Sequence, residues 1–284
     1  MKRPIMMVAG VLATLALIAA ACGSNKPAAP TGKTTGATGT PSPSFSTLKP
    51  GVLQVGSCLD YPPFERVKNG VEEGFDVDIT DAIAQRLGLK VEWVRADFDT
   101  IFTAVAGGQF DMVAAASTIT KKREQTVTFS DPYYNSRQSL TVNEQQTPDI
   151  KTTDDLKSGD VVGVQKGTTG EAWAEENLQP KGIEIKSYVS ATDAFRDLEG
   201  GGITGIINDE PASDEIVKQA PSLKVVQAID TNEHYGFAFA PDNTGLIDAV
   251  NNALKQIIAD GTYQTIFQKW FPGVEVPSEF QPSS

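Results

Sequence analysis

Histidine and cysteine are scarce in this chain of 284 residues, which contains one histidine, His234, and two cysteines, Cys22 and Cys58. Two cysteines are too few for a disulfide framework, and no cysteine–histidine cluster has the spacing of a zinc site. Nucleophilic catalysis assisted by histidine would have to use His234, and no motif around it supports that role. We therefore expect neither a metal nor a cofactor.

Basic residues are also in deficit, since 24 lysines and arginines stand against 36 aspartates and glutamates, for a formal net charge of −12. Nucleic-acid binding requires a basic surface, so the composition argues against nucleic acid as a partner. The length is sufficient for one large domain or two modest domains, each with its own core.

Long apolar runs are missing except at the amino terminus, where Lys2 and Arg3 precede an apolar stretch at 8–21. This run is too short for a stable membrane span and typical of an export signal, so residues 1–22 are predicted to be a signal peptide. Ala19, Ala20 and Ala21 before Cys22 resemble a bacterial lipobox, although Ala19 stands where leucine is commonest. Lipidation of Cys22, which would anchor the protein to the membrane, is favoured over simple cleavage, and both remain open.

Residues 23–48 are rich in glycine, threonine, proline, serine and alanine, and contain almost no large apolar side chains. Such a segment cannot offset the entropy of ordering, so we predict a flexible tether. The folded part follows it.

From about residue 49, strand patterns at 52–56, 90–94 and 111–116 alternate with helix patterns that have one apolar face. The β-α-β-α-β order predicts an α/β fold with a parallel sheet, in which ligands lie beyond the carboxyl ends of the strands. Four residues stand at these predicted ends: Asp60, Tyr61, Phe98 and Thr118. Tyr61 and Phe64 are both expected to project from a rigid loop fixed by the prolines between them.

A second unit is predicted after about residue 139. It begins with a helix start at 152–156, has strands at 161–164, 183–185, 203–207 and 223–226, and is followed by a strand at 235–240. The turn at 165–171, after a strand, either holds an anionic oxygen or is an ordinary connection. Asp209, also at a strand end, is equally consistent with a ligand contact and with a helix cap.

The polar run after the predicted strand at 111–116 is the most informative stretch. Thr118-Ile119-Thr120 leads directly into Lys121-Lys122-Arg123. Hydroxyl groups, a helix start and an arginine fork together favour a small anion such as a carboxylate. A solvated basic surface is the simpler interpretation of the three cations alone.

This stretch, continued by Phe129-Ser130-Asp131-Pro132-Tyr133-Tyr134, resembles the polar amino acid-binding proteins of ABC importers, solute-binding family 3. The resemblance covers roughly residues 50–272. It implies a two-lobed periplasmic-binding-protein fold of type II, with two crossing hinge strands and the ligand in the cleft. The implied lobes are 49–138 with 235–284, and 139–234.

The resemblance also implies the site. Arg123 would hold the α-carboxylate with Thr118, Thr168 and Thr169, while the carbonyl of Ala116 and the carboxylate of Asp209 would hold the α-ammonium. The remaining implied contacts surround the ligand side chain: Asp60, Tyr61, Phe98, Gln165 and Asn208. Cys58 stands where many relatives have an aspartate, and it is interpreted either as a small buried filler or as a thiol lining the site.

The resemblance implies an extracytoplasmic, membrane-anchored and monomeric binding protein. It would close around a polar amino acid, basic or amide, and deliver it to an ABC permease and its ATPase. The alternative is an enzyme of the same fold, such as a cyclohexadienyl or arogenate dehydratase, with Glu65, Glu171 or Glu210 as general acid. A lipoprotein that has lost its ligand is a third reading, against which Arg123 and Asp209 argue.

Overall fold

The computed structural model describes residues 45–282. The predicted signal peptide, Cys22 and the predicted tether up to residue 44 lie outside the described residues. Residues 45–48, predicted as the end of the tether, already contact the folded part: Phe45 packs against its core, and the backbone N–H of Leu48 donates to the Asp111 carboxylate at 2.7 Å.

The first lobe is built on a five-stranded sheet whose central strands are parallel, as predicted. The order is β5 (Lys90–Arg95), β1 (Val52–Ser57), β6 (Met112–Val113), β13 (Ala238–Phe239) and β7 (Thr128–Phe129). β1 runs parallel to both β5 and β6, whereas β13 is antiparallel to its neighbours. Around the sheet lie α1 (Phe75–Leu87), α2 (Phe98–Ala106), α6 (Thr244–Ala259) and α7 (Thr262–Trp270).

A small three-stranded sheet stands next to the site and consists of β2 (Asp60–Tyr61), β3 (Glu65–Lys68) and β4 (Val71–Glu73). The predicted loop from Cys58 to Glu65 is therefore partly strand. Phe64 does not project from it as expected: the ring is fully buried and packs edge-on against Tyr134 and Tyr235, with centroids 5.0 and 5.2 Å away. Burying such a ring stabilises the fold more than exposing it at a cleft would.

The second lobe is built on another five-stranded sheet. Its order is β10 (Glu184–Tyr188), β9 (Val161–Gln165), β11 (Gly205–Asp209), β8 (Tyr134–Asn143) and β12 (Leu223–Tyr235). The accompanying helices are α3 (Thr169–Asn177), α4 (Ala191–Gly200) and α5 (Glu210–Val217). The resulting architecture is the two-lobed type II fold expected from the sequence.

The two long strands β8 and β12 cross between the lobes as an antiparallel pair. Their register is irregular: Ser136 pairs with Glu233 and Gln138 with Ile229, so a step of two residues in β8 matches four residues in β12. The extra chain forms a bulge at residues 230–232, where Asn232 has a left-handed φ of 49°. The predicted lobe boundaries fall inside these crossing strands and stay a prediction.

Five predicted elements differ from the structure. The strand expected at 111–116 shrinks to Met112–Val113, because the chain then turns away through Ala116, whose φ is 44°. Arg123 opens a three-residue 3-10 turn instead of a helix. Residues 152–156 form a turn held by the Asp155 carboxylate, which accepts from the backbone N–H groups of Lys151 and Thr152. The strand expected at 223–226 extends through Tyr235 as β12, and the strand expected at 235–240 shrinks to β13.

Within residues 45–282, no helix combines the length and the apolar character that a bilayer crossing demands.

Candidate functional site

One cavity between the lobes collects most of the residues predicted to bind a ligand. Nine of the eleven line it: Tyr61, Phe98, Ala116, Thr118, Arg123, Gln165, Thr168, Thr169 and Asp209. Its volume is about 20 Å³, enough for about one water molecule. The two lobes therefore lie close together, and an amino acid could enter only after they separate.

Arg123 joins the two lobes at one wall of this cavity. Its Nη1 donates to the carbonyl of Thr118 at 2.6 Å and its Nη2 to the carbonyl of Gly167, on the second lobe, at 3.1 Å. The guanidinium carbon lies 5.1 Å and 4.6 Å from the ring centroids of Phe98 and Phe102, a favourable arrangement for a cation. Burial lowers the pKa of Arg123 to about 10, so the group remains charged at neutral pH.

Gly167 makes this close approach possible. Its φ of 79° suits a glycine, and a Cβ placed on it would lie 2.9 Å from the Cα of Asp99 in the first lobe. The neighbouring Lys166 forms an ion pair of 3.0 Å with the Asp99 carboxylate. The turn at 165–171 is therefore a contact surface between the lobes as well as the start of α3.

Asp209 lies at the opposite wall, at the carboxyl end of β11. Its Oδ2 accepts from the hydroxyl of Tyr61 at 2.9 Å and from that of Tyr235 at 2.6 Å, and Gln138 Nε2 donates to its Oδ1. Its side chain makes no helix-cap hydrogen bond, although α5 begins directly after it. Burial, reinforced by the nearby charge of Glu233, raises the pKa of Asp209 to about 7.

Glu65 is a lining residue that the sequence argument considered only as a general acid for the enzyme alternative. Its side chain is fully buried, and within the described chain neither carboxylate oxygen has a hydrogen-bond partner. Burial, followed by the negative charges of Asp76, Asp60 and Asp209, holds the pKa of Glu65 well above its usual range. An unpaired buried carboxyl is costly, so a function is the natural explanation for it. The sequence signal that could have pointed to Glu65 is the rigid Pro62-Pro63-Phe64 segment directly before it.

Two predicted site residues do not line the cavity. Asp60 lies at the rim, where its Oδ2 is 3.4 Å from Arg95 and its carbonyl accepts from the Thr192 hydroxyl of the second lobe at 3.2 Å. Asn208 lies behind Tyr61, accepting the Tyr61 hydroxyl at 3.0 Å. Cys58, by contrast, does line the cavity. It is buried, and burial raises the pKa of its thiol well above the ordinary value.

Behind the threonines lies a polar network that sequence reasoning missed, centred on Glu233 and Gln138 of the crossing strands. Glu233 accepts hydrogen bonds from the hydroxyls of Thr118 and Thr169, and Gln138 Nε2 donates to Glu233 and Asp209. The network depends on the antiparallel pairing of β8 with β12, which residue patterns do not reveal.

Asp76, in the first turn of α1, fixes the loop around Ala116. Its Oδ2 accepts from the Ala116 backbone N–H and from the Tyr133 hydroxyl, both at 2.8 Å. Burial raises the pKa of Asp76 to about 6, while these two hydrogen bonds oppose that rise. The left-handed backbone of Ala116 is thus tied directly to α1, the helix that follows the small three-stranded sheet.

The fold and the site define a two-lobed binding protein with a cleft suited to a zwitterion. In agreement with this, the profile of the bacterial extracellular solute-binding proteins, family 3, matches residues 53–273. The chain belongs to that family.

Three similar proteins illustrate its relatives. The ABC transporter arginine-binding protein 1 of Escherichia coli K12 is 33% identical over 226 residues, which are 78% of this chain and 90% of that protein. An ancestral arginine-binding protein solved with arginine is 38% identical, with a TM-score of 0.74. The match covers 78% of this chain and 98% of that protein. An ancestral amino acid-binding protein described as a precursor of cyclohexadienyl dehydratase is also 38% identical, with a TM-score of 0.73. The match covers 78% of this chain and 96% of that protein. All three are named as binding proteins.

Proposed function

We propose that this protein captures a cationic amino acid, arginine or lysine, outside the cytoplasm and delivers it to an ABC permease and its ATPase. The observation that carries the proposal is Glu65, a buried carboxyl without a partner in the described chain, on the cavity wall. The relatives named for arginine support the same ligand class.

The charges of the cavity match such a ligand. Arg123 would pair with the α-carboxylate and Asp209 with the α-ammonium, as the resemblance implies. Those two contacts pair one positive and one negative group of the cavity with the ligand, and the carboxyl of Glu65 is still without a partner. A guanidinium or ammonium on the ligand side chain would neutralise it, whereas a neutral amide would leave the buried carboxyl without a counter-charge.

Lobe movement follows from the small cavity volume. Arg123 and Lys166 hold the lobes together through Gly167 and Asp99, so a ligand must enter an open form and then favour the closed one. The ligand shifts this equilibrium only by its greater affinity for the closed form. Arg123 and Asp209 supply that difference because they come from different lobes and both meet the ligand only on closure.

A ligand panel tests the proposal. With protein stripped of carried-over ligand, arginine or lysine at a hundredfold excess over the dissociation constant should add about 2.7 kcal/mol of stability. For a protein of this size, the melting temperature should then rise by about 5 to 10 °C. The measurement is a thermal-shift series over the twenty amino acids. A shift with glutamine or asparagine but not with arginine or lysine would refute the cationic ligand class, and a flat panel would refute amino acid capture.

The proposed location includes a lipid anchor at Cys22 and a monomeric protein on the outer face of the membrane. Replacing Cys22 with alanine should release the protein from the membrane fraction or block its processing, because the lipid on Cys22 is the proposed attachment. Fractionation of cells followed by immunoblotting measures this, with Cys58→Ala as the control that should stay membrane-bound. Unchanged membrane retention of the Cys22→Ala protein would contradict the anchor.

A further inference from the structure

Glu233 is a buried carboxylate on the crossing strand β12, and it is 6% exposed. It does not line the ligand cavity. Its place is behind Thr118 of the first lobe and Thr169 of the second lobe. A side chain in that position affects the ligand through the residues that it holds and not by direct contact.

Four hydrogen bonds converge on this carboxylate. Its Oε2 accepts from the hydroxyls of Thr118 and Thr169, at 2.6 and 2.8 Å, and its Oε1 accepts from Gln138 Nε2 and from the Thr231 hydroxyl, both at 2.8 Å. These are short, charge-assisted contacts. The Oε2 atom thus connects one side chain of each lobe through a single oxygen on the hinge.

The two threonine contacts differ from the other two in their dependence on lobe position. Thr231 is on the same strand, and Gln138 is on the neighbouring crossing strand, so both remain near Glu233 when the lobes move. Thr118 and Thr169 are in different lobes. If the lobes separate, Oε2 loses at least one of them, and a buried carboxylate that loses a charge-assisted partner is destabilised.

The hydroxyl protons carry a second consequence. A threonine hydroxyl has one proton, and in both residues that proton is directed to Glu233. The hydroxyls are thereby fixed in orientation, and the donors for a ligand carboxylate are left to Arg123 and to backbone N–H groups.

We infer that Glu233 is a positioning residue that favours closure, a carboxylate latch that holds Thr118 and Thr169 together when the lobes meet. It sets the affinity for every ligand through the open–closed equilibrium without choosing among ligands. The affinity part of this inference rests on the proposed function, whereas the effect on lobe separation does not depend on any ligand.

The test compares Glu233→Ala and Glu233→Gln with the parent, by small-angle scattering without ligand and by calorimetric titration with arginine and lysine. The alanine variant should have a larger radius of gyration without ligand, and saturating ligand should return it to the parent value. Its affinity should fall about tenfold, the size of one charge-assisted hydrogen bond, by the same factor for each ligand. Glutamine keeps one acceptor, so its loss should be smaller. Asp230→Asn, an exposed charge on the same bulge, is the matched control and should resemble the parent.

A double-mutant cycle distinguishes the latch from a merely structural role. If Glu233 acts through Thr169, combining Thr169→Val with Glu233→Ala should weaken binding little more than Glu233→Ala alone. An unchanged radius and affinity, fully additive losses, or a loss confined to one ligand would each overturn the inference. If the parent binds no amino acid, the proposed function fails, and the ligand-free radius of the variants still decides the latch; if Glu233→Ala does not fold, Glu233→Gln decides it.

Discussion

Replacing Arg123 with alanine is expected to weaken amino acid binding by about a hundredfold or more, while the protein still folds. The substitution leaves a ligand carboxylate in a water-poor cleft beside the rings of Phe98 and Phe102 without its counter-charge, and losing one partner of such a pair costs several kcal/mol. The contact of Arg123 with the carbonyl of Gly167 is lost as well, which favours the open form. Calorimetric titration measures the affinity, and circular dichroism checks the fold.

Two matched variants sharpen this result. Arg123→Lys keeps the positive charge but not the planar fork, so its affinity should lie between those of the parent and the alanine variant. Lys122→Ala removes an exposed neighbouring cation and should bind as the parent does. Parent-like affinity in a folded Arg123→Ala protein would show that the carboxylate is held elsewhere.

Replacing Glu65 with glutamine is expected to lower the affinity for arginine and lysine by about a hundredfold and to leave the affinity for glutamine unchanged or higher. The change removes the cavity-lining charge proposed to face the ligand's cationic end while preserving its shape. Without ligand, the melting temperature should not fall, since an unpaired buried carboxyl is replaced by a neutral group. Titration of both proteins with the three amino acids gives the ratio of affinities, which is the decisive quantity.

Glu73→Gln is the control for this variant, because Glu73 belongs to the same small sheet and pairs with Arg66 away from the cavity. It should retain the parent's preference. If Glu65→Gln still preferred arginine by the parent's ratio, another group would have to recognise the side chain, and the proposal for Glu65 would be wrong.

The sequence was sufficient for the parts of the protein that follow from local periodicity. The parallel core of the first lobe, with β5, β1 and β6 side by side, follows from alternating strand and helix patterns. The polar run after a predicted strand points to Arg123, the place at a strand end points to Asp209, and the resemblance to amino acid-binding proteins assigns both residues their roles. Their convergence on a single cavity agrees with that reasoning, while their contacts with a ligand stay a prediction.

What the sequence could not show depends on long-range pairing. Glu233 meets Gln138 only because β12 pairs with β8, and Gln138 meets Asp209 because β8 also pairs with β11 on its other side. The predicted strand at 223–226 stops short of the full β12 because the polar residues at 227–233 interrupt the alternation of a half-buried strand, and the bulge hides its continuity. The burial of Glu65 is not predictable from its own polar side chain either. It accompanies the burial of the neighbouring Phe64, which depends on distant parts of the chain.

The extra residues of β12 form a bulge, so the chain can change in length there while the pairing that positions the lobes is kept. Residues 230–232 of β12 are not paired in register with β8, and Asp230 and Asn232 are exposed there. A fluorescent reporter domain spliced into this segment would be coupled to the relative motion of the lobes without changing any residue of the cavity wall. The same insertion in β8 would slip the register and turn Gln138 away from Asp209. The hinge bulge is therefore the natural entry point for converting this protein into a genetically encoded amino acid sensor.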